Sequence, residues 1–337
     1  MQRMTGQLHM KDSDTIEISF SSTTPAKLYA LQLKLRPLQR GTLMPFSGKL
    51  VHGAFLNWLR TAAPDVVTWL HDGNKRRLFT CSSLQFPLPV QRMQEAEREN
   101  THLPLDPEKT YLIRLTFLLG ELFPLFYEAL MRFNESGSGK SRPPFMQIGK
   151  QLFLLEEVII HNTDPTGWTG FTSLTELVEN VKASRLNHTE TLKLEFASLT
   201  TFNRSSLKNR GYGTHYACLP LPHYLFPGLV RRWQDIAPAE MAGLVQLDRI
   251  ERYIQEDGII IINYDLKPHH VRFTTHQQPC FVGACEYHLR GPDEEMTPDA
   301  PLTVRQQLLL LANLSFYCGI GYKTSMGMGQ TRLREKG

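Results

Sequence analysis

The amino-acid sequence predicts an α+β protein of two tandem ferredoxin-like (βαββαβ, RRM-like) domains, and three observations carry that expectation. Helix-like and strand-like hydrophobic periods follow one another in the order β-α-β-β-α-β, and the same order recurs after a turn-rich middle segment. The chain has 337 residues, more than one average domain. Hydrophobic residues make up 41% and charged residues 21%, enough to build a core in each half and against wholesale disorder. The expected division is 1–185 and 186–337.

In the first half, residues 28–35 (LYALQLKL) alternate apolar and polar before Pro37 and read as a strand. A helix is expected from Ser47, which can cap it. Within it Leu50, Val51, Ala54, Phe55, Trp58 and Leu59 make one apolar stripe at helical spacing. Strand-like runs follow at 79–86 and 111–117, then a helical stretch at 121–133, a polar loop and a strand at 151–160. Residues 162–188 carry turn signals at Asp164-Pro165-Thr166-Gly167 and one short helical piece, and read as the connection between halves.

In the second half, residues 192–202 alternate as a strand and 225–236 suit a helix. Two strands are expected at 259–264 and 280–288, separated by a turn-rich arm over 268–278. A strong helix covers 304–317, followed by a glycine loop and a last strand at 331–334.

Composition narrows the function classes. The longest aliphatic runs, Leu308 to Leu311 and Ile259 to Ile262, are too short to cross a membrane, and the first residues lack a signal-peptide pattern. A cytoplasmic protein is expected. Five scattered cysteines without a CxxC pair suit reduced core thiols better than disulfides or a zinc site. The net charge of +4 permits a polyanionic partner without demanding one.

The sharpest local signal is residues 319–329, GIGYKTSMGMG. Four glycines between an apolar helix and a strand let backbone approach a ligand closely, and amides in such a loop can hold phosphate oxygens beside Lys323. Residues 134–141, NESGSGKS, imitate a nucleotide-binding loop. Asn134 replaces the first glycine, though, and the segment follows a helix rather than a strand.

With these motifs in view, the chain resembles the CRISPR-associated endoribonucleases that process precursor crRNA, members of the RAMP superfamily. The resemblance is carried by the C-terminal GIGYKTSMGMGQTRL stretch, by GKLVHGAFL at 48–56 and by Phe281-Val282-Gly283. Asn209-Arg210-Gly211-Tyr212-Gly213 and the Pro220–Pro222 helix entry add to it. The sequence departs from the family pattern at Gln278-Pro279-Cys280, where many relatives carry a basic residue and glycine.

The resemblance implies cleavage of a CRISPR repeat RNA by attack of a 2′-hydroxyl, leaving a 2′,3′-cyclic phosphate and a 5′-hydroxyl. Such chemistry needs a base, an acid and positive charge near the phosphorane, and requires neither metal nor cofactor. His52, at the edge of the apolar stripe, is the candidate acid/base. Lys49, three residues earlier, is a candidate for stabilising the phosphate, and Tyr29 for orienting the 2′-hydroxyl. A histidine beside a core face is otherwise a structural residue, Lys49 a solvated one and Tyr29 a packing one. Gly319, Gly321, Lys323, Gly327 and Gly329 are expected to hold the RNA backbone, with Arg204, Lys208, Arg210, Arg231 and Arg232 as further contacts. His269, His270, His276 and His288, near Cys280 and Cys285, are too irregularly spaced for zinc. Expected partners are the repeat RNA and its crRNA product, a type I or type III effector complex, and a second copy in a homodimer. The rival reading is a non-catalytic RAMP subunit that binds guide RNA within an effector complex.

Overall fold

The computed structural model describes residues 27–71, 77–99, 101–135, 144–161, 167–183, 190–203, 215–273, 277–291 and 301–334. Its first half contains β1 (Lys27–Pro37), β2 (Gly41–Leu43), α1 (Gly48–Ala62), α2 (Pro64–His71), β3 (Phe79–Cys81), α3 (Val90–Glu99), β4 (Leu103–Leu105), β5 (Tyr111–Phe117), α4 (Leu122–Glu135), β6 (Phe145–Ile148), β7 (Gln151–Ile159), β8 (Gly170–Ser173) and α5 (Leu174–Ala183). The second half contains β9 (Thr191–Thr200), β10 (Phe202–Asn203), β11 (Tyr216–Ala217), α6 (Pro222–Ile236), α7 (Ala239–Ala242), α8 (Leu247–Gln255), β12 (Ile259–Arg272), β13 (Gln277–Leu289), α9 (Val304–Cys318) and β14 (Thr331–Arg334).

The first sheet runs β3-β5-β1-β7-β6, and the second β12-β13-β9-β14. Reduced to the four strands of each βαββαβ unit, both orders are second-third-first-fourth, the ferredoxin-like arrangement that the sequence predicts. The short elements β2, β4, α2 and α3 are decorations that periodicity does not reveal.

The first sheet divides its residues by parity. Leu31, Leu33 and Leu35 of β1, with Ile113, Leu115 and Phe117 of β5, pack beneath α1 and α4. Leu28 and Ala30 instead join the core of the second half. Arg114 and Thr116 follow the same parity toward α9. The Arg114 guanidinium donates to the carbonyls of Trp168 (2.7 Å) and Phe316 (2.8 Å), and the Thr116 hydroxyl donates to that of Tyr317 (2.6 Å). These carbonyls of Phe316 and Tyr317 belong to the last turn of α9, which no intrahelical donor satisfies.

That placement explains Leu308 to Leu311, buried on every side of α9. The helix lies between its own sheet and the first one, so it has no solvent face. Its start is set by a capping box between Thr303 and Gln306.

Several expectations are corrected. Ser47 stands at the N-cap of α1, but its hydroxyl accepts from the Leu84 amide and caps nothing. Leu50 is 39% exposed and leaves the apolar stripe. The run at 79–86 is strand only over Phe79–Cys81. The connection between halves is an integral part of the fold: β8 pairs with β1, and α5 packs into the core of the second half. The turn-rich arm is instead a long hairpin of β12 and β13, paired from Ile259↔Leu289 to Arg272↔Gln277. Its prolines fit because β12 is an edge strand and β13 pairs with β9 only from Phe281 onward, so Pro268 and Pro279 deprive no third strand of a donor. Among the described residues, no helix is long and apolar enough to cross a membrane.

Candidate active site where helix α1 meets the glycine loop

The loop at 319–329 does not lie open. A short 3₁₀ turn, Thr324–Met326, folds it back against the first turn of α1 in the other domain. The Gly327 amide donates to the Cys81 carbonyl at 2.9 Å, and Gly327 forms a parallel bridge with Ser82. A side chain on Gly48 would overlap the Met326 carbonyl, and a Cβ on Gly327 would stand 2.8 Å from the Cα of Gly48. Two glycines, one on each domain, therefore permit the backbones to touch. The other glycines serve the loop's own closure. Ile320 donates to Gly329 (2.8 Å), Gly329 to Leu199 (3.0 Å) and Tyr322 to Thr201 (2.9 Å). Much of the amide supply assigned to phosphate in the sequence reading is thus engaged within the protein. Gly321 remains exposed at the rim, while Gly319, Gly327 and Gly329 are buried.

His52 is 6% exposed and lies under this loop. Its Nδ1 is 2.8 Å from the backbone oxygen of Ser325. A carbonyl only accepts, so Nδ1 carries the proton and the neutral ring keeps its lone pair on Nε2. The ring stacks on Phe79 with centroids 5.4 Å apart. The Cys81 thiol donates to the same Ser325 oxygen at 2.8 Å. Burial pushes that thiol far above its ordinary range, so it acts as a neutral donor.

Two lysines converge here. Lys323 adopts a left-handed conformation, φ 58°, which projects its side chain from the loop's turn. Its ammonium sits 3.5 Å from the centroid of the Phe273 ring near the end of the β12–β13 hairpin. Partial burial, and then the like charge of Lys49, hold it below the usual lysine range. The second cause places Lys49, exposed on the first turn of α1, within electrostatic reach of the loop. Sequence spacing offers no hint of this pairing.

The remaining candidates divide. Tyr29 lies outside this assembly: half-buried, its ring stacks on Phe123 of α4 at 4.5 Å and leans on the exposed Phe171. Arg232 holds the scaffold, donating to the Arg77 carbonyl (2.9 Å) and the Thr324 hydroxyl (3.3 Å). Arg231 is exposed and lines a groove with Lys323. Arg204, Lys208 and Arg210 lie outside the described residues, as does His276. Among the described residues no cluster of histidine, cysteine and carboxylate groups could hold a metal ion.

Residues 194–331 match the family model for the CRISPR-associated endoribonuclease Cas6. No curated protein matches the chain. Solved structures resemble it over nearly its whole length. A Thermus thermophilus Cas6 in a product complex is 23% identical, with 92% of this chain and 100% of that one covered and a TM-score of 0.67. A second Cas6 product complex is 21% identical at the same coverages, TM-score 0.59. A Cas6 substrate mimic complex is 20% identical, again at 92% and 100%, TM-score 0.54. At these identities the likeness establishes the Cas6 fold, two ferredoxin-like domains in tandem.

Proposed function

We propose that the chain is a metal-independent endoribonuclease that cuts CRISPR repeat RNA at the junction of α1 and the glycine loop. The observation that carries this reading is the Nδ1–H bond from His52 to Ser325, beside Lys49 and Lys323. It fixes a buried imidazole in the tautomer whose Nε2 can accept a proton. The solved relatives described as product and substrate mimic complexes support an RNA ligand for this fold.

In the proposed reaction His52 Nε2 removes the proton of the 2′-hydroxyl, and the 2′-oxygen attacks the adjacent phosphorus. The bond from phosphorus to the 5′-oxygen breaks, giving a 2′,3′-cyclic phosphate and a 5′-hydroxyl. Lys49 and Lys323 offset the charge on the phosphorane. Lys323, held below the usual lysine range, supplies a proton to the departing 5′-oxygen. Exposed Gly321 and Arg231 contact the neighbouring backbone. The reading extends to delivery of the product to a type I or type III effector complex, to a homodimer and to a cytoplasmic location.

A second reading follows from the burial of His52, whose partners Phe79 and Ser325 are also what a structural histidine has. On that reading the chain binds guide RNA in an effector complex and cuts nothing. The deciding experiment incubates the wild-type chain with repeat RNA in EDTA and analyses the ends. One cut with a cyclic phosphate supports the nuclease; tight binding of intact RNA supports the binding subunit.

A further inference from the structure

Beside the glycine loop, α6 and residues 319–323 border an open groove of about 700 Å³. This is within the range of about 300–1,000 Å³ in which proteins hold small ligands. We propose that this groove is a subsite for one unpaired nucleotide of the RNA, next to the phosphodiester held at His52. The inference rests on the RNA-binding part of the function proposed above and adds a place where a base is read.

Three features support it. First, the groove has aromatic and cationic walls together. His223 and Tyr224 stand on the first turn of α6, and Tyr322 rises from the loop, its ring 6.0 Å from that of Tyr216. Lys323 and exposed Arg231 border the same space. Aromatic faces for a base and cations for its phosphates are what single-stranded nucleic acid requires. Second, the groove is kept open by the sequence of α6. Gly228 lines it, and a Cβ there would meet nothing within 4 Å, so a larger side chain would occupy the cavity. Third, Lys323 lines this groove and directly precedes the 3₁₀ turn that packs on the first turn of α1, so the groove adjoins the proposed site.

The test measures equilibrium binding of repeat RNA that carries hydrogen in place of the 2′-hydroxyl at the cut. Abasic sites are placed one at a time around that position. For the wild-type chain, one abasic position should weaken binding about tenfold, the loss expected for one stacked base. In Gly228→Trp, which fills the groove, the same abasic site should make no further difference. Tyr322→Leu, which removes one wall, should also lose the sensitivity. Thermal melting confirms that each variant folds. Tight wild-type binding indifferent to every abasic site overturns the groove alone, as does undiminished sensitivity in both Gly228→Trp and Tyr322→Leu. Failure of the wild-type chain to bind repeat RNA at all would overturn the RNA reading itself.

Discussion

The His52 imidazole and the Ser325 carbonyl meet across the domain junction at 2.8 Å, although 273 residues separate them in the chain. One bond thereby joins the helix that carries the proposed base to the loop that carries Lys323. Chemistry and packing are superimposed at this point, and the first prediction separates them.

His52→Ala should slow cleavage of repeat RNA by about 10²–10⁴-fold, with the dissociation constant little changed. It should also lower stability by about 1–2 kcal/mol, through the lost bond and the unsatisfied carbonyl. His52→Asn keeps a donor for Ser325 but no base, so its stability should recover while cleavage stays lost. Recovery of cleavage in His52→Asn would show that the histidine serves packing only.

Close contact between Gly48 and Gly327 should make both positions intolerant. Gly327→Ala adds a strained φ of 90° to the collision and should cost about 2–4 kcal/mol in urea denaturation. Gly53, in the same helix as Gly48, has open space around its Cα. Gly53→Ala should therefore raise stability by about 0.5–1 kcal/mol. Equal effects at positions 53 and 327 would contradict the packing described.

Glu97 of α3 lines the cleft between the domains, and burial pushes its carboxyl up to about 7. Between its unfolded value near 4.5 and 7, the folded chain holds a proton that the unfolded chain has released. Stability should therefore fall as pH rises through this window, by about 1–3 kcal/mol in total. Glu97→Gln should flatten the dependence of the melting temperature between pH 5 and pH 7.5; an unchanged slope would assign it to other groups.

Thiol reactivity should follow burial. Cys280 and Cys318 are pushed up to about 12 and Cys285 to about 11, all by burial, and Cys81 lies higher still. Only Cys218 is half-buried rather than buried. A thiol reagent should modify Cys218 first in the native chain and reach the other four only on unfolding. Rapid modification of all five would mean that the cores open readily.

Much of the architecture is local in origin and could be read from the sequence. The alternation in β1, the stripe on α1 and the apolar length of α9 each follow from a residue pattern that one face or one sheet imposes. The four glycines before β14 likewise announced an unusual backbone. The sequence also singled out His52, through its place in the GKLVHGAFL motif.

The tertiary structure decided which groups meet. Leu308 to Leu311 face all ways because α9 lies between two sheets, a fact that no period within the helix contains. The loop amides bond to Leu199, Thr201 and Cys81 rather than standing free, because hydrogen bonds are settled by whatever backbone arrives alongside. Tyr29 and His52 come from neighbouring elements of one domain, but the tyrosine stacks on Phe123 of α4 instead. Lys323, nearly three hundred residues from Lys49, is the lysine brought beside it. Periodicity is a property of neighbours along the chain, whereas an active site depends on the approach of segments remote in it, and only packing determines that approach.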